Sequence, residues 1–226
     1  MEDSETPWVV PRPVRTACDY AEAILVAVLL AVYARTFVVE AFEIPSGSME
    51  ETLLVGDHVV VDKLSHAPHA GPWRVLLPYR DLAAGGVVVF RSPEDPSVDL
   101  VKRVAAVGGE TFRIEGRRAL RNGLEVAEPW ARWQTPPPGR DAIGPLTVPP
   151  GHFLALGDNR DHSRDSRTYG PVPEASVKGR PLFVYWSRRP AERETEGTGS
   201  GGGRPFDGLV HFAQRTRWGR TFRMVR

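Results

Sequence analysis

The chain has almost no cysteine, few lysines and no excess charge of either sign. Cys18 is the only cysteine, which excludes an intrachain disulfide and a cysteine-based zinc site. Acidic and basic residues number 28 and 29, so no broad positive field favours binding to nucleic acid. The only lysines are Lys63, Lys102 and Lys178. Because lysine, unlike arginine, can lose its proton at moderate pH, each of the three is a candidate base.

A single apolar run, "YAEAILVAVLLAVYARTFVVEAF", begins at Tyr20. Its charge-free part is short for a membrane span, and extension across Arg35 gives an adequate length because this side chain can reach toward the interface. We predict one transmembrane helix over residues 20–38. The alternative is a buried or interfacial helix of the same length. Residues 1–19 are polar and proline-containing, and we predict a disordered cytoplasmic N-terminus there.

Charges on either side of this helix predict its orientation. Arg12 and Arg15 precede it, whereas Glu40, Glu43, Glu50 and Glu51 follow it. Positive charge favours the cytoplasmic side of a membrane, so we expect the N-terminus inside and the remainder of the chain outside.

After residue 42 the helical period ends and short β-branched runs follow. They include "HVVVDKL", "GGVVVFRS", "LVKRVAAVGG", "TFRIEG" and "GHFLALGD", bounded by turn residues, and they predict strands. "RNG" predicts a hairpin turn before the return strand "LEVAEP". Trp130 to Pro150 is rich in Pro and Gly and predicts a loop, and residues 190–208 predict a flexible loop. The C-terminal "TRWGRTFRMV" predicts a last strand. The fold class is mainly β, with one N-terminal transmembrane helix.

Lys102 lies in the run "DLVKRVAAVGG". In a strand its face is shared with Leu100 and Val104, so it is a lone ammonium among apolar neighbours. Burial there would lower its pKa toward neutrality, as a general base requires. The alternative is an edge-strand lysine that points to water and blocks aggregation.

Ser48, in "PSGSM", follows directly on the apolar segment. A serine hydroxyl needs a base to act as a nucleophile. No histidine has a recognisable triad spacing, although triad partners meet only in space. The histidines are His58, His66, His69, His152, His162 and His211. A metal shared by His66 and His69 would lack a nearby third ligand, and a solvated loop pair is the preferred interpretation.

The segment "GDNRDHSRDSRTYGPVP", Gly157 to Pro173, is dense in acids, arginines and serines. One interpretation is a local web of salt bridges that supports a site and offers a hydroxyl to a lysine amine. The alternatives are a solvated acidic loop or a calcium site. The oxygens available for calcium belong to Asp158, Asn159, Asp161 and Asp165, but EF-hand spacing is absent.

Three of these segments, in this order behind a membrane helix, resemble the successive boxes of bacterial type I signal peptidases. They are "IPSGSMEETLLVGDHVVVDKLSH", "DLVKRVAAVGGE" and "GDNRDHSRDSRTYGPVPEASVKGR". The resemblance covers most of residues 20–186, and "RWGRTFR" is similar to the family's last strand. It implies an antiparallel β catalytic body over residues 39–226, with its core in 39–110 and 150–226. A small β insertion over about 111–149 is expected.

The resemblance also implies residue roles. Ser48 takes the nucleophile position and Lys102 the general-base position. Ser46 takes the position of a hydroxyl that helps the Ser48 amide to hold the oxyanion. Ser163 takes the position that hydrogen-bonds the lysine amine. Further supporting positions of the same loop are Asp158, Arg160, Asp165 and Arg167.

Substrate contacts are implied in the same way. Apolar positions that line shallow pockets for small side chains are matched by Phe42, Ile44, Leu53 and Val101, and the extended run ending at Pro45 would pair with the substrate backbone. The resemblance implies secretory preproteins and the lipid bilayer as partners, with no nucleic acid, metal or cofactor. It places a single-pass protein in the bacterial inner membrane, with its catalytic domain on the extracytoplasmic side.

Three positions depart from the family pattern: Glu51 stands where proline is usual, Gly86 where aspartate is usual, and His162 where asparagine is frequent. Other functions stay open. A self-cleaving Ser/Lys repressor would have a DNA-binding domain in place of the membrane helix, and an organelle-type processing peptidase is barely separable by sequence. A membrane-anchored β module that binds extended peptides without catalysis has no need of both Ser48 and Lys102.

Overall fold

A computed structural model describes residues 12–64, 80–134, 143–190 and 212–225. The chain divides into two compact units, residues 1–38 and residues 39–226. The histidines His66 and His69 lie outside the described residues, as do residues 1–11 and most of the flexible loop predicted over 190–208.

The first unit contains one long helix. Helix α1 spans Arg12–Tyr33 and continues as a π-helical segment, Ala34–Val38. Residues Thr16–Val38 are long and apolar enough to cross a membrane, with a mean hydropathy of 1.9. The helix begins at Arg12 rather than at residue 20, so the prediction of disorder is wrong for residues 12–19. Pro13 lies in the first turn, where a missing N–H breaks no helical hydrogen bond, and it is compatible with this early start.

The second unit is built from two antiparallel sheets. In the described residues the larger sheet has eight strands and the smaller sheet four. The larger comprises β1 (Val39–Glu43), β2 (Asp57–Asp62), β3 (Val87–Arg91), β4 (Asp99–Val107), β9 (His152–Leu156), β10 (Val172–Pro173), β11 (Val177–Ser187) and β12 (Arg223–Met224). The smaller comprises β5 (Thr111–Glu115), β6 (Arg118–Arg121), β7 (Leu124–Val126) and β8 (Ile143–Thr147). The prediction of a mainly β fold with an N-terminal apolar helix and a small β insertion is confirmed.

In the larger sheet the strand order is β1-β2-β11-β3-β4-β9-β10, and β12 pairs with β11. Strand β11 pairs with β2 over its second half and with β3 at its start, with register shifts along both pairings. β1 therefore lies at one edge of the sheet, and β4 lies inside it.

In the smaller sheet, of order β7-β6-β5-β8, the turn between β6 and β7 is the predicted hairpin. Asn122 and Gly123 have φ values of 53° and 79°, the left-handed conformations that a two-residue type I′ turn requires. The loop prediction for Trp130 to Pro150 is wrong over β8, because Ile143 and Leu146 pack on the core of the insertion. The local sequence of this segment favours a strand only weakly, and β8 forms because it pairs with β5.

Among the described residues there are three buried apolar clusters, and one of them includes the segment that joins β1 to β2. It contains Ile44, Met49 and Leu53 from that segment, together with Val59 and Val61 of β2 and further residues of β3 and β11. This segment, residues 44–57, contains Ser48, and we refer to it as the Ser48 loop. Its apolar side chains anchor it on the sheet, which limits the positions that Ser48 can adopt.

Candidate active site

Two backbone hydrogen bonds made by Ile44 join the beginning of the Ser48 loop to its end. The Ile44 amide donates to the Asp57 carbonyl at 2.8 Å, and the Gly56 amide donates to the Ile44 carbonyl at 2.9 Å. Within the loop, Gly47–Met49 form a single 3-10 helical turn. Met49 is 1% exposed and Leu53 is not exposed at all. Ser48 therefore lies on a short turn whose following residue is fixed in the core.

Lys102 meets Ser48 from the middle of β4. Its Nζ lies 2.5 Å from Ser48 Oγ, and the side chain is only 3% exposed. The pKa of Lys102 is lowered from 10.5 to about 8, chiefly by burial; the charges of Asp165 and Asp158 oppose the shift, and the charge of Arg167 adds to it. A substantial fraction of the amine is neutral near pH 8, so the pair can perform serine nucleophile and lysine base chemistry.

Ser46 lies beside this pair. Its Oγ is 3.5 Å from Ser48 Oγ, and the residue is exposed at the mouth of the site. A hydroxyl at this distance is near enough to share a charged oxygen with the Ser48 amide once a tetrahedral adduct forms on Ser48.

Asn159 holds the turn from the opposite side. Its backbone amide donates to the Ser48 carbonyl at 3.1 Å, and its Nδ2 donates to the Gly47 carbonyl at 3.2 Å. Sequence reasoning treated Asn159 only as a possible calcium ligand and missed this role. The signal in the sequence was its position between Asp158 and Arg160, within the third segment that resembles the signal peptidase family.

Asp165 and Arg167 form a buried ion pair behind the lysine, with Nη2 and Oδ2 2.8 Å apart. Asp165 also caps the short helix α2 (Ser166–Tyr169) and accepts from the Gly157 amide at 2.9 Å. Burial alone would raise the pKa of Asp165, but hydrogen bonds and charge from Arg167 lower it below its usual value. The group therefore stays an anion and opposes the burial shift of the pKa of Lys102.

Asp158 and Arg160 do not pair with each other, so the local salt-bridge web is only partly present. Asp158 pairs with Arg103 at 2.7 Å, and both side chains are buried. Arg160 pairs instead with Glu128 at 2.7 Å. Thr52 Oγ1 donates to Asp158 Oδ2 at 2.5 Å. The roles of Arg103 and Thr52 were missed, because these partners are far apart in the sequence and meet only in space.

The arginine partners also bear on the calcium interpretation. Guanidinium groups occupy the carboxylates of Asp158 and Asp165, and calcium would have to displace both. In the part of the chain that the structure describes, no group of three or more metal-ligating side chains occurs.

Ser163 lies behind the site with its Oγ buried. The hydroxyl contributes to the lowered pKa of Asp165, yet within the described ranges it makes no hydrogen bond of regular geometry, to Lys102 or to any other group. A Cβ added to Gly157 would come within 2.2 Å of Ser163 Oγ and 2.7 Å of the Ser48 carbonyl oxygen. Ser163, Ser48 and the Gly157 backbone are thus packed closely together.

A cavity of about 520 Å³ opens on the pair. Its lining consists of Ser46, Gly47, Ser48, Glu50, Leu100, Lys102, Gln134, Asn159, His162 and Arg164. The five residues predicted to contact substrate are absent from this lining. Ile44 and Leu53 are buried in the core below it, Phe42 and Val101 pack on the same cluster, and Pro45 is exposed.

The three departures from the family pattern lie near the site. Glu51 pairs with Arg132 at 3.3 Å, and both side chains are largely exposed. The Gly86 amide donates to the Ala83 carbonyl at 3.1 Å. His162 is exposed in the cavity lining.

Comparison with known proteins gives one family. Residues 17–186 match the family described as "Signal peptidase, peptidase S26". The chain is 36% identical to signal peptidase I of Leptolyngbya laminosa, a match that covers 81% of this chain and 91% of that protein. It is 34% identical to signal peptidase I of Mycobacterium tuberculosis, with coverage of 78% and 75%.

Solved structures are also among the matches. A signal peptidase I from Enterococcus faecalis matches at 26% identity and a TM-score of 0.39, and the match covers 45% of this chain and 97% of that one. This score is too low to support a fold assignment, which rests on the strand pairings of the chain itself.

Proposed function

This chain belongs to the signal peptidase family, peptidase S26, and from that premise we propose that it is a membrane-anchored serine endopeptidase. Its substrates are exported preproteins, from which it removes the N-terminal signal peptide. The observation that supports this most directly is the 2.5 Å contact between Lys102 Nζ and Ser48 Oγ. A buried amine of lowered pKa, in contact with a hydroxyl, is the arrangement that makes serine a nucleophile.

In the first half of the reaction, neutral Lys102 takes the hydroxyl proton of Ser48 while Oγ bonds to the carbonyl carbon before the cleavage site. The negative oxygen that forms accepts hydrogen bonds from the Ser48 amide and the Ser46 hydroxyl. Loss of one such donor lowers the rate by about 10²–10³ in known cases. The C–N bond then breaks, and the Lys102 ammonium donates its proton to the leaving amine.

In the second half, the signal peptide is an ester on Ser48. Lys102, neutral again, takes a proton from water as the water oxygen attacks the ester carbon. The ester bond to Oγ breaks, and the proton held by Lys102 returns to Ser48. These steps use the side chains of Ser48, Lys102 and Ser46, the backbone amide of Ser48 and one water molecule, and they need no metal or cofactor.

The substrate is expected to bind as an added strand. β1 lies at the edge of the larger sheet and leads into the extended run that ends at Pro45. An edge strand offers unpaired backbone groups to a peptide. Apolar pockets near Phe42, Ile44, Leu53 and Val101 would then favour small side chains next to the cleaved bond.

Membrane anchoring belongs to the same proposal. The apolar helical span Thr16–Val38 is followed directly by β1, so the chain enters the catalytic unit as it leaves the span. Arg12 and Arg15 before the span favour a cytoplasmic N-terminus. We place the protein in the bacterial inner membrane as a single-pass protein, with residues 39–226 on the extracytoplasmic side.

The test is cleavage of a purified preprotein by the full chain in detergent, with the new N-terminus identified by sequencing. We expect cleavage by the wild type and by Lys63→Met, and none by Ser48→Ala or Lys102→Met. Lys63 is the matched control because it is a lysine of the same unit whose amine pairs with Glu40 at the surface. Retained cleavage in Ser48→Ala, or no cleavage in any of the four, contradicts the proposal.

A further inference from the structure

The C-terminal segment, residues 212–225, contacts the Ser48 loop. Arg217 and Arg220 reach the loop from this segment, and both guanidinium groups are largely buried. Arg217 Nη2 donates to the backbone carbonyl of Val55 at 2.5 Å and to that of Arg188 at 2.8 Å. A residue more than 160 positions along the chain therefore fixes the backbone of the loop.

Arg220 contacts the last residue of the loop. Its Nη2 lies 2.5 Å from Asp57 Oδ2, and its Nε lies 3.2 Å from both carboxylate oxygens. Asp57 has no exposed surface and also accepts from the Ser187 hydroxyl at 2.6 Å and from the Leu54 amide at 2.9 Å. Both carboxylate oxygens are thus engaged, and of the partners only Ser187 lies outside the loop and the C-terminal segment.

Thr52 joins this cluster to the catalytic side of the loop. Its backbone carbonyl accepts from Arg220 Nη2 at 3.0 Å. Its hydroxyl donates to Asp158 Oδ2, and the Asp158 carboxylate pairs with Arg103, the chain neighbour of Lys102. One residue of the loop is therefore held from two sides by two buried ion pairs.

We propose that Arg220, assisted by Arg217, is a positioning residue for the cleavage reaction: it holds Thr52 and Asp57 so that the loop presents Ser48 to Lys102. The proposal rests on the proposed role of Ser48 as the nucleophile. Arg220 itself touches neither the reacting atoms nor the cavity lining. Its effect passes through the loop, which also contains Leu53 of the expected substrate pocket.

The fork of the guanidinium is the essential feature. Arg220 uses Nη2 for both the Thr52 carbonyl and Asp57, while Nε completes the pairing with the carboxylate. A lysine at this position keeps the positive charge opposite Asp57 but has no planar fork with which to hold both groups. Arg220→Lys therefore distinguishes two effects of Arg220: the effect of its charge on the stability of the fold and the effect of its geometry on the position of the loop.

The experiment compares full-length wild type, Arg220→Lys, Arg220→Gln and the control Arg223→Gln in preprotein cleavage. Arg223 is an exposed arginine of the same C-terminal segment. We expect Arg220→Lys to keep a melting temperature near that of the wild type and to lose about tenfold or more in kcat, the size of effect that small misplacements produce. The pH midpoint of kcat/KM should stay unchanged, because the neighbours of Lys102 are untouched. Arg223→Gln should match the wild type in all three measurements.

Amide hydrogen exchange gives a readout that does not depend on cleavage. In both Arg220 variants the amides of Leu53 and Leu54, which bond to Met49 and Asp57 within the loop, should exchange faster than in the wild type. Amides of β9 serve as the internal reference and should be unchanged.

Each failure is separable. The positioning role is wrong if Arg220→Lys has the kcat of the wild type, or if its loop amides exchange at the wild-type rate. The proposed function would still be supported in that case, provided that Ser48→Ala has lost cleavage. If the wild type cleaves no preprotein, the proposed function fails. Faster exchange of the loop amides in the Arg220 variants would then show that Arg220 orders the loop but does not serve cleavage, so the positioning role would also be wrong.

Discussion

Arg103 and Asp158 form a two-pronged ion pair inside the protein. Nε lies 2.8 Å from Oδ1 and Nη2 lies 2.7 Å from Oδ2, and the Arg103 guanidinium also lies over the Trp130 ring at 4.3 Å. The pair joins β4, which contains Lys102, to the loop whose Asn159 holds the backbone of Ser48. Both members of the proposed catalytic dyad are therefore attached to this one interaction.

Removal of one partner should destabilise the fold strongly. Asp158→Ala leaves a buried guanidinium without its counter-charge, and such losses are on the order of 3–5 kcal/mol in the free energy of unfolding. Chemical denaturation checks this value. The control is Glu115→Gln, which breaks the exposed pair of Glu115 and Arg113 and should leave stability unchanged. A loss of under about 1 kcal/mol for Asp158→Ala, typical of surface pairs, contradicts the prediction.

The lowered pKa of Lys102 predicts the pH dependence of cleavage. Only the neutral amine can accept the Ser48 proton, so kcat/KM should rise with pH. It should reach half of its maximum at a pH of about 8 rather than at 10.5. Because Asp165 raises the pKa of Lys102, Asp165→Asn should move the midpoint to lower pH while it also lowers the rate. The measurement is kcat/KM over a series of buffered pH values, and a midpoint near the ordinary lysine value would show that the pKa of Lys102 is not lowered in the folded protein.

The same shift predicts a stability cost. A fall in pKa from 10.5 to about 8, at about 1.4 kcal/mol per unit, means that the charged lysine destabilises the folded state by about 3 kcal/mol. Between these two pKa values the unfolded chain binds more protons, so wild-type stability should rise with pH across that interval.

Lys102→Met should therefore be inactive and more stable at pH 7, by up to about 3 kcal/mol. The difference should narrow as the pH rises above 8, because the lysine of the folded state then loses its charge, and it should vanish only well above 10.5, where the unfolded state has lost the charge as well. Denaturation of the two proteins at pH 7 and at pH 10 measures this. Equal stability at pH 7 would show that the amine is well solvated in the folded protein.

Local sequence patterns predicted much of this fold. Alternating β-branched runs indicated the strands, and "RNG" indicated the turn at Asn122 and Gly123. Ser48 and Lys102 were assigned from separate motifs, and the structure brings the two side chains together. These features depend on residues close in the sequence or on the resemblance to a family.

Other features depend on contacts that no local pattern encodes. β8 is a strand because β5 pairs with it, not because "IGPLT" favours one. Asp158 takes Arg103 as its partner rather than Arg160, because β4 passes beside it. The contact of Arg220 with Asp57 spans 163 positions, so composition and spacing could not reveal it.

Gly157 gives the last prediction. A methyl group at this position would meet Ser163 Oγ at 2.2 Å and the Ser48 carbonyl oxygen at 2.7 Å, distances shorter than van der Waals contact. One of the two serines must move, and Gly157→Ala should lower kcat/KM by about 10²-fold, because small displacements near the reacting groups have effects of this size.

Gly144→Ala is the matched control. A Cβ there has open space within 4 Å, so the variant should cleave at the wild-type rate. Because the clash at Gly157 involves the backbone of Ser48, its effect should fall on kcat/KM even at temperatures where circular dichroism shows both variants folded. A Gly157→Ala protein with unchanged kcat/KM would mean that Ser163 and Ser48 can shift freely, and the close packing would then have no part in holding Ser48 against Lys102.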